Sequence, residues 1–201
     1  MKWQTGMMRL VGFLAVAAIG GMAMDNKKID QIPTEVRDYL TAGDGLAQFA
    51  VHEKYPHVEQ TLNSAATRTA ILEYLGSKEP WQDPPTLTIN AIAFLQTKAT
   101  AKEAEIIRPL VGHANPWVRL KVHEYMMAVY YPAHDRAAMI SLFEEMLGDR
   151  DELVRVQAAR WIKALNFSGE MHDYLQQWTM RAEQRKWNQQ ESFGMIKEML
   201  R

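Results

Sequence analysis

The chain has 201 residues, of which 47% are apolar and 23% charged, with a formal net charge of −1. That is enough apolar material for one globular core, too little charge bias for a disordered or polyanion-binding chain, and, with no cysteine, no disulfide, lipidated cysteine or thiol nucleophile. Setting aside residues 1–23 leaves 21 basic against 24 acidic residues, so no nucleic-acid partner is expected.

Arg9 precedes an apolar run, Leu10-Val11-Gly12-Phe13-Leu14-Ala15-Val16-Ala17-Ala18-Ile19, and Gly21-Met22-Ala23 then supplies the small-x-small pattern of a signal peptidase site. The reading is a signal peptide over 1–23 and an exported protein, periplasmic or secreted. Met7 or Met8 is an alternative start. An uncleaved leader anchoring the chain in the inner membrane is the competing reading, and only in that case is a membrane a partner. The run is short for a span.

Residues 24–31 read as a flexible mature N-terminus, and residues 32–201 as one helical domain. Pro33 and Thr34 open a short helix with Val36, Tyr39 and Leu40 on one side. Gly43-Asp44-Gly45 is expected to close it, because glycine tolerates the positive φ of a helix end. Leu46, Phe49 and Ala50 suggest a second helix, stopped by Pro56. One longer helix over 58–75 should follow, with Leu62, Ala65, Ala66, Leu72 and Leu75 inward. Residues 77–85, with Pro80, Pro84 and Pro85 around Trp81, form an enlarged turn before a helix lined by Leu87, Ile89, Ala91, Phe94 and Leu95. Trp81 is expected to lie as a lid over the end of the adjacent core, an exposed partner contact being the sharper alternative.

The region 100–165 contains one pattern twice. Val118-Arg119 and Val154-Arg155 lie 36 residues apart, and the same offset aligns Leu110-Val111-Gly112 with Met146-Leu147-Gly148 and Tyr125-Met126 with Trp161-Ile162. Each unit reads as helix, turn, helix, clearest over 100–131 and 135–166. Val118, Val122, Tyr125, Met126 and Val129, then Val154, Ala158, Trp161, Ile162 and Leu165, form the apolar stripes of the second helices, with Trp161 expected to be buried as deeply as Val118. Thr100-Ala101-Lys102-Glu103 has the spacing of a reciprocal cap. Pro109 should bend its helix, and Asn115 and Asp149 or Asp151 should cap the second helices.

These two segments, with a Val-Arg pair after a turn rich in Asp, Asn and Pro, resemble HEAT repeats over about 65 residues. The resemblance implies an all-α fold: a short HEAT-type α-solenoid of antiparallel helix pairs with irregular N-terminal helices. It also implies a ladder in which Arg119 and Arg155 reach back to acids of neighbouring units. After Leu165 the register is lost, and one or two closing helices carry Met171, Tyr174, Leu175, Trp178, Trp187, Phe193, Met195, Ile196, Met199 and Leu200 inward, with a glutamine- and arginine-rich outer face.

No phosphate loop, serine elbow or dinucleotide fingerprint is present. Val51-His52-Glu53 and Val122-His123-Glu124 place His-Glu pairs 71 residues apart and resemble the iron ligands of deoxyhypusine hydroxylase, a HEAT-like enzyme. That family carries such pairs at regular places in several repeats, whereas here the intervening positions are Ile92-Ala93 and the following ones Ala159-Arg160. No metal, cofactor or catalytic residue is therefore assigned. His113, His134 and His172 fall near turns, where exposure is the default, and Asn166-Phe167-Ser168 is only formally a glycosylation sequon.

The expected function is that of a noncatalytic scaffold binding a protein or peptide. Second helices of HEAT stacks usually line the concave face, and the binding candidates there are Lys121, Glu124, Met127, Tyr131, Gln157, Arg160 and Lys163. A HEAT-like enzyme, metal-dependent or lyase-type, and a self-associating envelope protein are the alternatives.

Overall fold

The computed structural model describes residues 27–43 and 45–201, so the expected signal peptide over 1–23 lies outside the described residues. Within them the chain is all-helical. A 3-10 turn at Lys28–Gln31 leads to α1 (Thr34–Thr41), α2 (Gly45–Lys54), α3 (Val58–Leu62), α4 (Ala65–Leu75), α5 (Pro85–Gln96), α6 (Ala101–Ile107), α7 (Pro116–Tyr130), α8 (Arg136–Leu147), α9 (Glu152–Ala164), α10 (His172–Gln184) and α11 (Glu191–Met199). Among the described residues, no helix is long and apolar enough to cross a membrane.

Local chemistry sets most of the starts. The side chains of Ser64, Thr100, Asn115, Asp135 and Asp151 each accept a hydrogen bond from a backbone amide two or three residues on, satisfying donors that have no partner inside the helix. Pro85 and Pro116 sit at first-turn positions, where the missing amide costs nothing. Pro109 ends α6 rather than bending it, and the chain continues as a 3-10 helix over Arg108–Gly112.

Two expectations about ends change. The helix over 58–75 is two helices, because Ser64 takes an extended conformation and turns its hydroxyl to the Thr67 amide. The break rotates α4, so that Thr67, Ile71, Tyr74 and Leu75 are buried while Ala65 and Ala66 are exposed. At the end of α1, Ala42 is extended (φ −61°), and Gly45 opens α2 instead of stopping α1. The left-handed conformation is instead taken by His134, Asn166 and Lys186 (φ 52°, 57° and 60°). After each, an amide reaches back five residues, from Asp135 to the Tyr130 carbonyl, Phe167 to Ile162 and Trp187 to Ala182.

Packing follows the alternation of helices. α1 lies against α5, α5 against α7, α7 against α9 and α9 against α11, while α4 packs on α5, α6 on α7, α8 on both α7 and α9, and α10 on α11. The buried apolar side chains form one cluster from Ile32 to Ile196. In α10 and α11 the buried set is Leu175, Trp178, Ala182, Phe193 and Ile196. Trp178 donates its indole N–H to the Leu147 carbonyl at 2.7 Å, fastening α10 to the end of α8.

Neighbouring helix pairs are also tied by polar contacts, in a pattern that differs from the expected ladder. Arg119 reaches forward, not back, to Asp149. Arg155, which is 1% exposed, binds Glu152 of its own helix and the side-chain Oε1 of Gln190, with its guanidinium 3.9 Å over the Trp187 ring. The cap on α6 is one-way: Thr100 accepts from the Glu103 amide, but its own amide donates to the Tyr125 hydroxyl. Glu103 is thereby free to accept from Arg68 at 2.6 and 2.7 Å and from Tyr125 at 2.7 Å.

Candidate binding groove

Helices α5, α7 and α9 lie side by side, and ridges of side chains fill the seams between them. On α7 the row Glu124, Met127, Ala128 and Tyr131 has the i, i+3, i+4, i+7 spacing of a single face. On α9 and just beyond it, Gln157, Trp161 and Leu165 form an i, i+4 row. Between these rows and Gln96 of α5 the surface sinks into an open groove of ≈ 410 Å³. Its walls are mostly apolar. Gln96 donates its amide to the Glu124 carbonyl at 3.3 Å, closing one side, and Glu124 is the one charged residue of the lining. Tyr131 is 54% exposed at the rim, and Trp161 is half-buried with its ring 6.4 Å from that of Phe143.

Four of the seven sequence-based candidates meet there: Glu124, Met127, Tyr131 and Gln157. The other three do not. Lys121 is paired with Glu124 one turn away and does not line the groove. Arg160 and Lys163 point toward α11, where they pair with Glu191 and Glu198 at 3.1 Å each. Spacing explains Lys163, which lies about 120° around the helix from Gln157, whereas Arg160, at i+3, is at the edge of that face and is held away by its pairing with Glu191. The reading also missed Gln96, Ala128, Trp161 and Leu165. Trp161 is the principal correction: it lines the groove, whereas Val118 is fully buried. The i, i+4 spacing from Gln157 was the available signal.

The histidines divide differently from the expectation. His113 is 5% exposed, not on the surface: its Nδ1 accepts from the Asn115 amide at 3.0 Å, which leaves Nε2 to donate to the Pro80 carbonyl at 3.1 Å. Trp81 tilts against this ring, centroids 5.4 Å apart, and is 46% exposed, so it is part lid and part free surface. His52 sits in α2, edge-on to Tyr39 and near Glu59. His123 is 1% exposed in α7, and its Nδ1 has no hydrogen-bond partner. Burial pushes its pKa down to about 4 from 6.5; Asp149 opposes this, and Arg108 and Arg119 add to it. The two His-Glu pairs thus occupy unrelated surroundings. Among the described residues, no group of three or more histidines and carboxylates is placed to hold a metal ion.

Two largely buried carboxylates are engaged structurally. Burial would raise the Asp149 carboxyl, but the Arg119 hydrogen bonds and the Asp151 amide outweigh it and hold it below its ordinary value. Glu103 behaves likewise: burial raises it, and Arg68 and Tyr125 bring it below normal. Burial also pushes the Tyr125 hydroxyl up to about 12. No family model, no curated protein and no solved structure matches the chain.

Proposed function

We propose that this protein is an exported, noncatalytic HEAT-type α-solenoid whose α5–α7–α9 groove binds a protein or peptide. The observation that carries the reading is the groove itself: an apolar floor, two aromatic rims and amide edges, on the same helices that the repeat pattern makes the inner row. Such a mixture suits an apolar side chain flanked by peptide groups, since Gln96 and Gln157 offer both donors and acceptors. The α1–α5–α7–α9–α11 succession supports the solenoid, and the 36-residue period supports its HEAT character.

Affinity capture from the envelope fraction of the producing cell tests it, with wild-type protein beside a Tyr131→Ala/Trp161→Ala double variant of unchanged helical content. A partner retained by the wild type and lost from the variant is the expected result. One retained equally by both places binding elsewhere.

A further inference from the structure

The groove does not end at Tyr131 and Leu165. Both residues also line a second depression of ≈ 420 Å³, beyond the end of α7, whose wall includes Arg136, His134 and Phe167. This second part is the more enclosed of the two, and it reverses the charge. The first part has Glu124 as its one charged residue, whereas here it is Arg136, with His134 beside it as a further donor. We propose that the combined site takes the carboxyl terminus of a peptide. The terminal carboxylate would lie on Arg136, apolar side chains would cover Tyr131, Leu165 and Trp161, and a basic residue would sit upstream at Glu124 in place of Lys121. This rests on the peptide-binding reading above and adds the polarity and terminus of the ligand.

Three features argue for a chain end. A peptide entering from the more open, Glu124 side meets the less open side, which favours a terminus over a continuing chain. The Arg136 guanidinium lies 4.1 Å over the Phe167 ring, which fixes its plane and leaves its N–H fork for a two-oxygen acceptor. Its present acceptor is Glu170, which pairs through Nε and Nη2. Both partners are about half exposed (50% and 46%), and so exposed a pair adds little stability. An incoming carboxylate can therefore replace Glu170 with like-for-like hydrogen bonds. Glu170 would act as a stand-in that discriminates against ligands lacking an anion, because displacing it without replacement strands Arg136.

The test uses a library of fluorescent pentapeptides with a basic third residue and two apolar last residues, each made as free acid and as C-terminal amide. Fluorescence polarisation on wild-type protein should show free acids binding about tenfold tighter than their amides, the scale of one charge-assisted contact. Arg136→Gln should bring the acids down to the level of the amides, and Glu170→Gln should tighten the acids alone. Arg160→Gln, equally exposed but paired with α11, should leave the preference intact. Acids and amides that bind equally, and are both weakened by Trp161→Ala, would overturn the terminal-carboxylate inference while leaving the groove as a peptide site. If no library member binds, the terminal-carboxylate inference falls, and the capture experiment with the Tyr131→Ala/Trp161→Ala variant decides the groove reading separately.

Discussion

Arg119 and Asp149, thirty residues apart, hold each other through two parallel hydrogen bonds, Nε to Oδ2 at 2.8 Å and Nη2 to Oδ1 at 2.7 Å, with side chains only 4% and 9% exposed. The pair joins α7 to the turn that starts α9, and Arg119 Nη1 also donates to the carbonyls of His113 and Ala114. Removing one partner leaves the other charge buried and uncompensated. Asp149→Ala should lower unfolding stability by roughly 3–5 kcal/mol, read from chemical denaturation. A double-mutant cycle with Arg119→Met should show strong coupling, and additive losses would mean that the two side chains act separately.

Acid should weaken the fold through His123. Its folded pKa of about 4 lies below 6.5, so the folded state resists a proton that the unfolded chain accepts. Its contribution is therefore intact above pH 6.5 and is lost as pH falls toward 4, by about 3 kcal/mol at 1.36 kcal/mol per pKa unit. Stability measured between pH 4 and 7 should show this slope, and His123→Leu should flatten it. An unchanged slope in that variant would assign the acid sensitivity to another group.

Trp161→Ala and Phe143→Ala should separate groove from core. Phe143 is fully buried, so its truncation should cost roughly 3–5 kcal/mol. Trp161, half-buried at the groove, should cost about 1–2 kcal/mol, yet Trp161→Ala should abolish partner binding. Lys121→Ala should stay within about 0.5 kcal/mol of wild type. A loss for Trp161→Ala as large as that for Phe143→Ala would return this side chain to the core.

Tyr125→Phe removes a hydroxyl that accepts from the Thr100 amide and donates to Glu103. The stranded amide should cost about 1–3 kcal/mol, and hydrogen exchange at Thr100 should accelerate selectively. Protection that persists in the variant would require a different acceptor for that amide.

Export is tested at the N-terminus. Protein recovered from the producing cell should begin near Met24, as the Gly21-Met22-Ala23 pattern implies. Full-length chain retained in the membrane fraction would mean an anchor.

Most helix starts were legible, because Thr100, Asn115 and Asp151 are caps whose partners lie two or three residues away. The break at Ser64 was hidden, since the apolar spacing over 58–75 runs through it and the break is made by polar contacts, Asn63 to the Glu59 carbonyl and Ser64 with Thr67. The depth of Trp161 was hidden for another reason. A 36-residue period fixes the angle of a side chain about its helix axis but not the distance to the next helix. Tyr125 and Trp161 share that angle, yet one is enclosed by Glu103 and Thr100 while the other faces the groove. His113 was misread because the group that buries its ring, the Pro80 carbonyl, lies 33 residues upstream.

His113 has a mechanical consequence. Its ring binds the Pro80 carbonyl ahead of α5 and the Asn115 amide at the start of α7, and its carbonyl receives Arg119 and Arg150, the latter from the turn before α9. Three alternate inter-helix turns, those before α5, α7 and α9, are thus joined at one point, at the N-terminal end of α7. The groove opens at the other end of that helix, about 20 Å away at 1.5 Å per residue. Splaying of α5, α7 and α9 about the joined end, like the ribs of a fan, would change the width of the groove and let the same site accept side chains of different girth without disturbing that end.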